Sequence, residues 1–157
     1  MCIHYDFGEN YYICKYKSKD FNIINYDKIT FIDCYNNELI TLPILPNCLV
    51  KLNCTNNYLI NLPVLHNNLN FLHCTNNYLI YLPILPVCLK DLYCNHNKLT
   101  YLPILPKYLK ELLCSYNKIK NLLNINKKIK YFGYDSNKIK FISKLLYELK
   151  YKYKYKY

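Results

Sequence analysis

The chain has 157 residues, a formal net charge of +11 and only two glycines, Gly8 and Gly133. That length fits one folding unit, and that glycine content cannot build a glycine-rich phosphate loop, so nucleotide binding of that kind is excluded. No run of about 18 apolar residues occurs, and no membrane-spanning helix is expected. Ala, Arg, Gln and Trp are absent while Lys, Asn, Ile and Tyr abound. The favoured residues have AT-rich codons, so the abundance of Lys or Tyr is not by itself evidence of function.

The chain opens Met-Cys-Ile-His-Tyr-Asp, with an acidic residue and no hydrophobic stretch, which argues against a secretory signal. Within residues 1–28, Tyr12 and Cys14 stand in phase with the repeats of residues 29–142, but Lys17 and Lys19 occupy the places of an Asn and a Leu. The segment reads as a degenerate first repeat that caps the N-terminal end.

Residues 29–142 repeat every 20 positions. Ile29, Ile32, Cys34, Asn37, Leu39 and Leu42 recur as Leu49, Leu52, Cys54, Asn57, Leu59 and Leu62, and again from Leu69, Leu89 and Leu109. A looser sixth copy runs Ile129, Phe132, Tyr134, Asn137, Ile139, Ile142. In each x-L-x-C-x stretch the side chains alternate, so Leu52 and Cys54 point one way while Lys51, Asn53 and Thr55 point the other. One such strand cannot stand alone; stacked on its copies in a parallel sheet it buries the Leu/Cys face. Asn offers a donor and an acceptor to backbone groups inside the turn, so Asn37, Asn57, Asn77, Asn97, Asn117 and Asn137 are expected to form a buried ladder. The Leu-Pro-Ile-Leu-Pro returns at 42–46, 82–86 and 102–106 are too proline-dense for a helix and should run extended, close to polyproline II.

Residues 143–157 close the chain. Ile142, Leu145, Leu146 and Leu149 recur at helical spacing and predict a short amphipathic capping helix. The alternating Lys-Tyr tail at 150–157 reads as a solvated low-complexity end, as a contact for an anionic polymer with Lys on phosphates and Tyr on bases, or as an extra strand.

The pattern L-x-x-L-x-C-x-x-N-x-L-x-x-L-P resembles a leucine-rich repeat with Cys in its third apolar slot. The chain is similar to the short 20-residue L-P-x-L-P-x-x-L-x-x-L class, familiar from secreted bacterial effectors and from repeat proteins of giant DNA viruses of amoebae. The resemblance covers roughly residues 29–142. It implies a solenoid with a parallel β-sheet on its concave face and extended convex segments. Effector relatives that ubiquitinate proteins carry a separate catalytic domain after the repeats. This chain stops soon after its last repeat, so that activity is not implied.

Nine cysteines invite a metal or disulfide reading, and the spacing favours neither. Cys34, Cys54, Cys74, Cys94 and Cys114 share one inward slot, where free Cys behaves as a small hydrophobe. An odd count without a secretory signal points to a reducing, intracellular and cytoplasmic setting, the host cytoplasm if the chain is viral. No C-x-x-C occurs, and alternation puts His73 opposite Cys74, so no zinc site and no cofactor is expected. Cys48 and Cys88 read as semi-exposed thiols on the return. The nearest approach to a catalytic dyad is His73 beside Asp91 and Tyr93, without a carboxylate buried to orient the imidazole; no enzyme is expected.

The outward strand positions vary while the framework does not. Phe31, Tyr35, Phe71, His73, Asp91, Tyr93, Glu111, Leu113 and Tyr131 stand on them, with aromatics of the kind enriched at interface hot spots. A β-sheet surface also favours aromatics without any partner. Charge is the second uneven feature. Residues 1–106 hold seven lysines and seven acids, whereas 107–157 hold fourteen lysines against Glu111, Asp135 and Glu148, which is the entire +11. Lys110 and Lys130 follow Lys90 in one slot, Lys118 and Lys138 follow Lys98 in another, and Lys120 matches Lys140. With Lys150, Lys152, Lys154 and Lys156 in the tail, these form a candidate anion contact. The expected function is a monomeric, non-catalytic protein-binding module using the concave sheet. The alternative is weak, sequence-independent binding to nucleic acid or an anionic surface through the basic third.

Overall fold

The computed structural model describes residues 11–13, 26–122, 125 and 128–142, with backbone only at 11–13, Tyr26 and 141–142. Among the described residues nine short strands form: β1 (Tyr11–Ile13), β2 (Phe31–Asp33), β3 (Lys51–Asn53), β4 (Phe71–His73), β5 (Asp91–Tyr93), β6 (Glu111–Leu113), β7 (Asn121–Leu122), β8 (Tyr131–Gly133) and β9 (Phe141–Ile142). A 3-10 turn at Tyr26–Lys28 precedes β2. A seven-stranded sheet takes β1 to β6 and then β8 in chain order. Every pairing is parallel and offset by one repeat, as Ile32 opposite Leu52, Leu52 opposite Leu72 and Leu72 opposite Leu92. That is the stacked-coil geometry the 20-residue period requires.

The core is a set of side-chain columns running along the stack. Ile32, Leu52, Leu72, Leu92 and Leu112 are fully buried, as are Cys34, Cys54, Cys74, Cys94 and Cys114 beside them. Phe132 in the sixth coil is only partly buried, and Tyr134 takes the cysteine slot there.

The asparagine ladder spans the coils. Asn37, Asn57, Asn77, Asn97 and Asn117 are buried and Asn137 is half-buried. Just before each Asn the backbone turns left-handed, with φ between 51° and 57° at Asn36, Asn56, Asn76, His96, Tyr116 and Ser136. Asn tolerates that region better than most residues, and the first three coils use it. The later coils place His, Tyr and Ser there.

The returns through Pro43, Pro63, Pro83 and Pro103 form neither helix nor strand. Each is closed by a short turn, as Leu49 N donating to Pro46 O at 3.1 Å and Leu89 N to Pro86 O at 3.0 Å. The series of prolines ends with Leu123 in the next place, and there the return changes character. Asn121–Leu122 and Phe141–Ile142 pair in parallel as a second, two-stranded sheet. Proline supplies no N–H and rarely enters a ladder, so its loss permits this pairing.

The capping helix expected from Ile142 onward finds no support in the structure. Ile142 itself is in strand β9, and no α-helix occurs among the described residues. The rest of that segment and the Lys-Tyr tail lie outside them.

Candidate binding face

The outward face of the sheet carries two rows that the register builds. The first runs Phe31, Lys51, Phe71, Asp91, Glu111, Tyr131, and the second Asp33, Asn53, His73, Tyr93, Leu113, Gly133. Alternation within each strand puts both rows opposite the buried column, but they are not simply solvent-exposed. Phe31, Phe71, His73, Asp91, Tyr93, Glu111 and Leu113 are all half-buried. Thr55, placed outward by alternation, is buried.

At the centre of the face lies a three-ring cluster. Phe71 and His73 meet edge to face at 6.0 Å between centroids, Phe71 and Tyr93 at 5.7 Å, and His73 and Tyr93 at 5.1 Å. Edge-to-face contacts of this kind add to area burial. The Tyr93 hydroxyl donates to Glu111 Oε2 on the next strand, which anchors the cluster on one side. On the other side Asn53 Nδ2 donates to Asp33 Oδ1 at 3.0 Å, and Asp33 Oδ1 also accepts the Tyr35 amide at 3.1 Å. Leu113 reaches over Gly133, where an added Cβ would lie 3.1 Å from Leu113 Cδ2.

Two groups on this face titrate abnormally. Burial lowers the His73 imidazole from its usual value, opposed by the Asp33 carboxylate. Burial also raises Asp91, helped by Glu111 on the facing strand, while Lys110 and Lys90 pull it down. His73 therefore meets the rings of Phe71 and Tyr93, with Asp33 rather than Asp91 as its acidic influence. Among the described residues no group of three His, Cys, Asp or Glu side chains is placed to hold a metal ion.

The remaining candidates are dispersed. Tyr35 is about half exposed, its hydroxyl accepting from Asn56 Nδ2 at 3.1 Å on the edge of the sheet, and Lys51 separates Phe31 from the cluster. Tyr131 is exposed at the far end. Lys110 and Lys130 are exposed next to the sheet's entry edge, joined through the backbone by Lys130 N donating to Lys110 O. Lys118, Lys120, Lys138 and Lys140 are exposed on the opposite edge, just past the asparagine ladder. Lys150, Lys152, Lys154 and Lys156 lie outside the described residues.

Sequence reasoning missed the ring ladder on that same edge. Tyr58 and Tyr78 stack at 5.8 Å and 9°, Lys98 Nζ sits 4.4 Å over the Tyr78 ring, and His96 stacks on Tyr116 at 4.3 Å. The signal was available, since these residues recur at the same 20-residue spacing as the framework.

The cysteines behave as packing groups. Desolvation pushes the Cys74 and Cys114 thiols up to about 12, and those of Cys54 and Cys94 well above their ordinary value. Of the two on the return, Cys88 is exposed. Cys48 is half-buried, its thiol donating to Asp27 O at 3.0 Å and Ile29 O at 3.2 Å. No helix among the described residues is long and apolar enough to cross a membrane.

No protein-family model and no curated protein matches the chain. Solved structures do. A Shigella effector leucine-rich-repeat domain superposes with a TM-score of 0.62 at 32% identity, over 68% of this chain and 58% of that domain. YopM, a leucine-rich effector of Yersinia pestis, gives 0.67 at 35% identity, over 72% of this chain and 33% of its own length. A Leptospira interrogans leucine-rich-repeat protein gives 0.53 at 25% identity, over 79% of this chain and 41% of that one. The chain thus spans less than two thirds of each.

Proposed function

Because the chain is a leucine-rich-repeat solenoid, similar in fold to bacterial effector repeats, we propose that it acts as a non-catalytic protein-binding module whose partner docks on the outward, concave face of the sheet. The observation that carries this reading is the Phe71–His73–Tyr93 cluster. Its rings are held edge-on to one another, and Tyr93 is tied to Glu111. Such anchors lose little rotamer freedom on binding, and aromatic anchors at the centre of a face carry most of an interface's energy. Strand-borne side chains also hold their geometry better than loop-borne ones.

The test is affinity capture from the natural cellular context with the wild-type chain and with Phe71→Ala/Tyr93→Ala. Loss of the captured protein in the double variant, with the fold intact by circular dichroism, supports the reading. Unchanged capture defeats it.

A second reading has its own observation. Lys118, Lys120, Lys138 and Lys140 form two adjacent rows of exposed charge one coil apart, roughly 5 Å. Like charges at that spacing favour an anionic polymer bound by counterion release. Fluorescence anisotropy with single-stranded DNA should then show affinity that falls steeply with salt and drops in Lys118→Ser/Lys138→Ser. Salt-independent affinity would count against it.

A further inference from the structure

The return side of the solenoid carries a feature that neither reading uses. Ile44, Val64, Ile84 and Ile104 occupy the same position in four successive coils and are 80%, 73%, 88% and 85% exposed. Each follows a Leu-Pro pair, and at Ile44, Ile84 and Ile104 a second proline stands two places on, as in Leu42-Pro43-Ile44-Leu45-Pro46, where Leu45 and Pro46 are buried; the Val64 coil has His66 there. The preceding proline in each coil restricts the local backbone, so the four branched side chains form a ridge that is already ordered. Tyr81 and Tyr101, 44% and 54% exposed, broaden it in its last two coils. Soluble monomers seldom display a contiguous apolar patch on this scale.

We propose that this ridge is a homotypic interface on which a second copy of the chain packs, antiparallel, about a two-fold axis between Val64 and Ile84. Three observations select that occupant. From Leu52 to Leu89 the chain holds no Lys, Arg, Asp or Glu, so the middle of the ridge offers nothing to a charged partner, while two such surfaces meet without desolvating an ion pair. The ridge repeats at the coil spacing, and a copy of the same solenoid has the same spacing, so the branched side chains of the two rows meet coil for coil along its length. An antiparallel two-fold also places the lysine rows of the two copies, Lys118 and Lys120 with Lys138 and Lys140, at opposite ends of the dimer, where a parallel arrangement would bring them together. The axis sets Ile84 against Val64 of the second copy and Ile44 against its Ile104.

The ridge with its tyrosine shoulder is at or below the ~800 Å² per partner of a standard interface, so association should be of micromolar strength and the expected monomer should hold only in dilute solution. The experiment is sedimentation velocity on the full chain from micromolar to several hundred micromolar. The wild-type chain should pass from monomer to dimer. Ile84→Lys and Val64→Glu should each weaken dimerisation at least ten-fold, with melting at low concentration unchanged because both side chains point into solvent. Mixing Ile84→Lys with Val64→Glu should restore a heterodimer, whereas Phe71→Ala/Tyr93→Ala should leave dimerisation as it is.

A wild-type chain that stays monomeric throughout overturns the proposal, as does a dimer indifferent to Ile84→Lys. Rescue of Ile84→Lys by Ile84→Glu rather than by Val64→Glu overturns the antiparallel register. A monomer that floats with zwitterionic phosphatidylcholine vesicles, and no longer does so as Ile84→Lys, assigns the ridge to a lipid surface instead.

Discussion

The side chain of Asn77 reaches back one coil to the carbonyl of Cys54, with Nδ2 donating to it at 3.0 Å. The same amide donates within its own coil to Cys74 O and Thr75 O, both at 3.2 Å, while its Oδ1 accepts the Leu59 N–H at 3.0 Å. Its partners are not equally dependent on it. Cys54 O also accepts from Asn57, Cys74 O from Asn97, and Thr75 O from the Asn56 amide. The buried Leu59 N–H relies on Asn77 Oδ1 as its acceptor.

Asn77→Ala should therefore cost the penalty of about one orphaned buried donor, roughly 1–3 kcal/mol, rather than the sum of four bonds. Asn67→Ala, at an exposed position on the return, should cost well under that. Asn77→Asp keeps an acceptor for Leu59 but turns a carboxylate toward three carbonyls, and at neutral pH should be worse than Ala. Denaturant melts of the three variants check the ranking; equal midpoints for Asn77→Ala and Asn67→Ala would sink it.

The buried thiols make the fold sensitive to alkali. In the unfolded chain a cysteine ionises near 8.5, whereas Cys74 and Cys114 are pushed up to about 12 by burial. Above the unfolded value the unfolded state loses protons that the folded state retains. Stability is thus fully present below about pH 8.5 and falls from there toward 12, by up to about 1.4 kcal/mol per pH unit for each such thiol. Melting curves between pH 8 and 11 should show a steep loss that Cys74→Val makes shallower. At neutral pH Cys88 should alkylate quickly while Cys54, Cys74 and Cys94 resist until the chain unfolds; rapid labelling of Cys74 would contradict their burial.

Ser136 holds a left-handed backbone, φ 55°, at an exposed position. A Cβ there costs about 1 kcal/mol or more, part of which glycine recovers against its greater freedom when unfolded. Ser136→Gly should raise the melting temperature slightly, and Ser136→Val should lower it by more. Identical melting for both would show that the turn is not under that constraint.

His73 works in the opposite direction from the cysteines. Its folded value is lowered by burial, so between that value and about 6.5 the unfolded chain binds a proton that the folded chain refuses. Stability should decline as pH falls below 6.5, and His73→Gln should flatten that decline. An NMR titration gives the direct check, with the His73 midpoint expected below 6.5.

The strand register was legible because it is written in one column, Ile32 to Leu112, where alternation and stacking leave no second solution. The ladder of asparagines was legible for the same reason. The outward face of the sheet was only half legible: alternation pointed Phe71 and Tyr93 outward, but nothing in one sequence says that neighbouring rings will lean together until both are half-buried. The left-handed turns went unread: Asn36, Asn56 and Asn76 suit that backbone, whereas His96, Tyr116 and Ser136 give no such sign. The helix expected from Ile142 rested on apolar spacing alone. It competes with the strand pairing to Asn121–Leu122 that the loss of proline permits.

The asparagine ladder gives the molecule a direction as well as a period. Asn57 serves Leu39, Asn77 serves Leu59, Asn97 serves Leu79, Asn117 serves Leu99 and Asn137 serves Ile119. In every case the later coil completes the earlier one. Peeling a coil from the C-terminal end strips an amide acceptor from the coil beneath it, while peeling from the N-terminal end strips a backbone carbonyl from the next coil's turn, as Leu39 O from Tyr58 N. The two ends of the stack are therefore left with different orphans, N–H groups that lose a side-chain acceptor at one and N–H groups that lose a backbone carbonyl at the other.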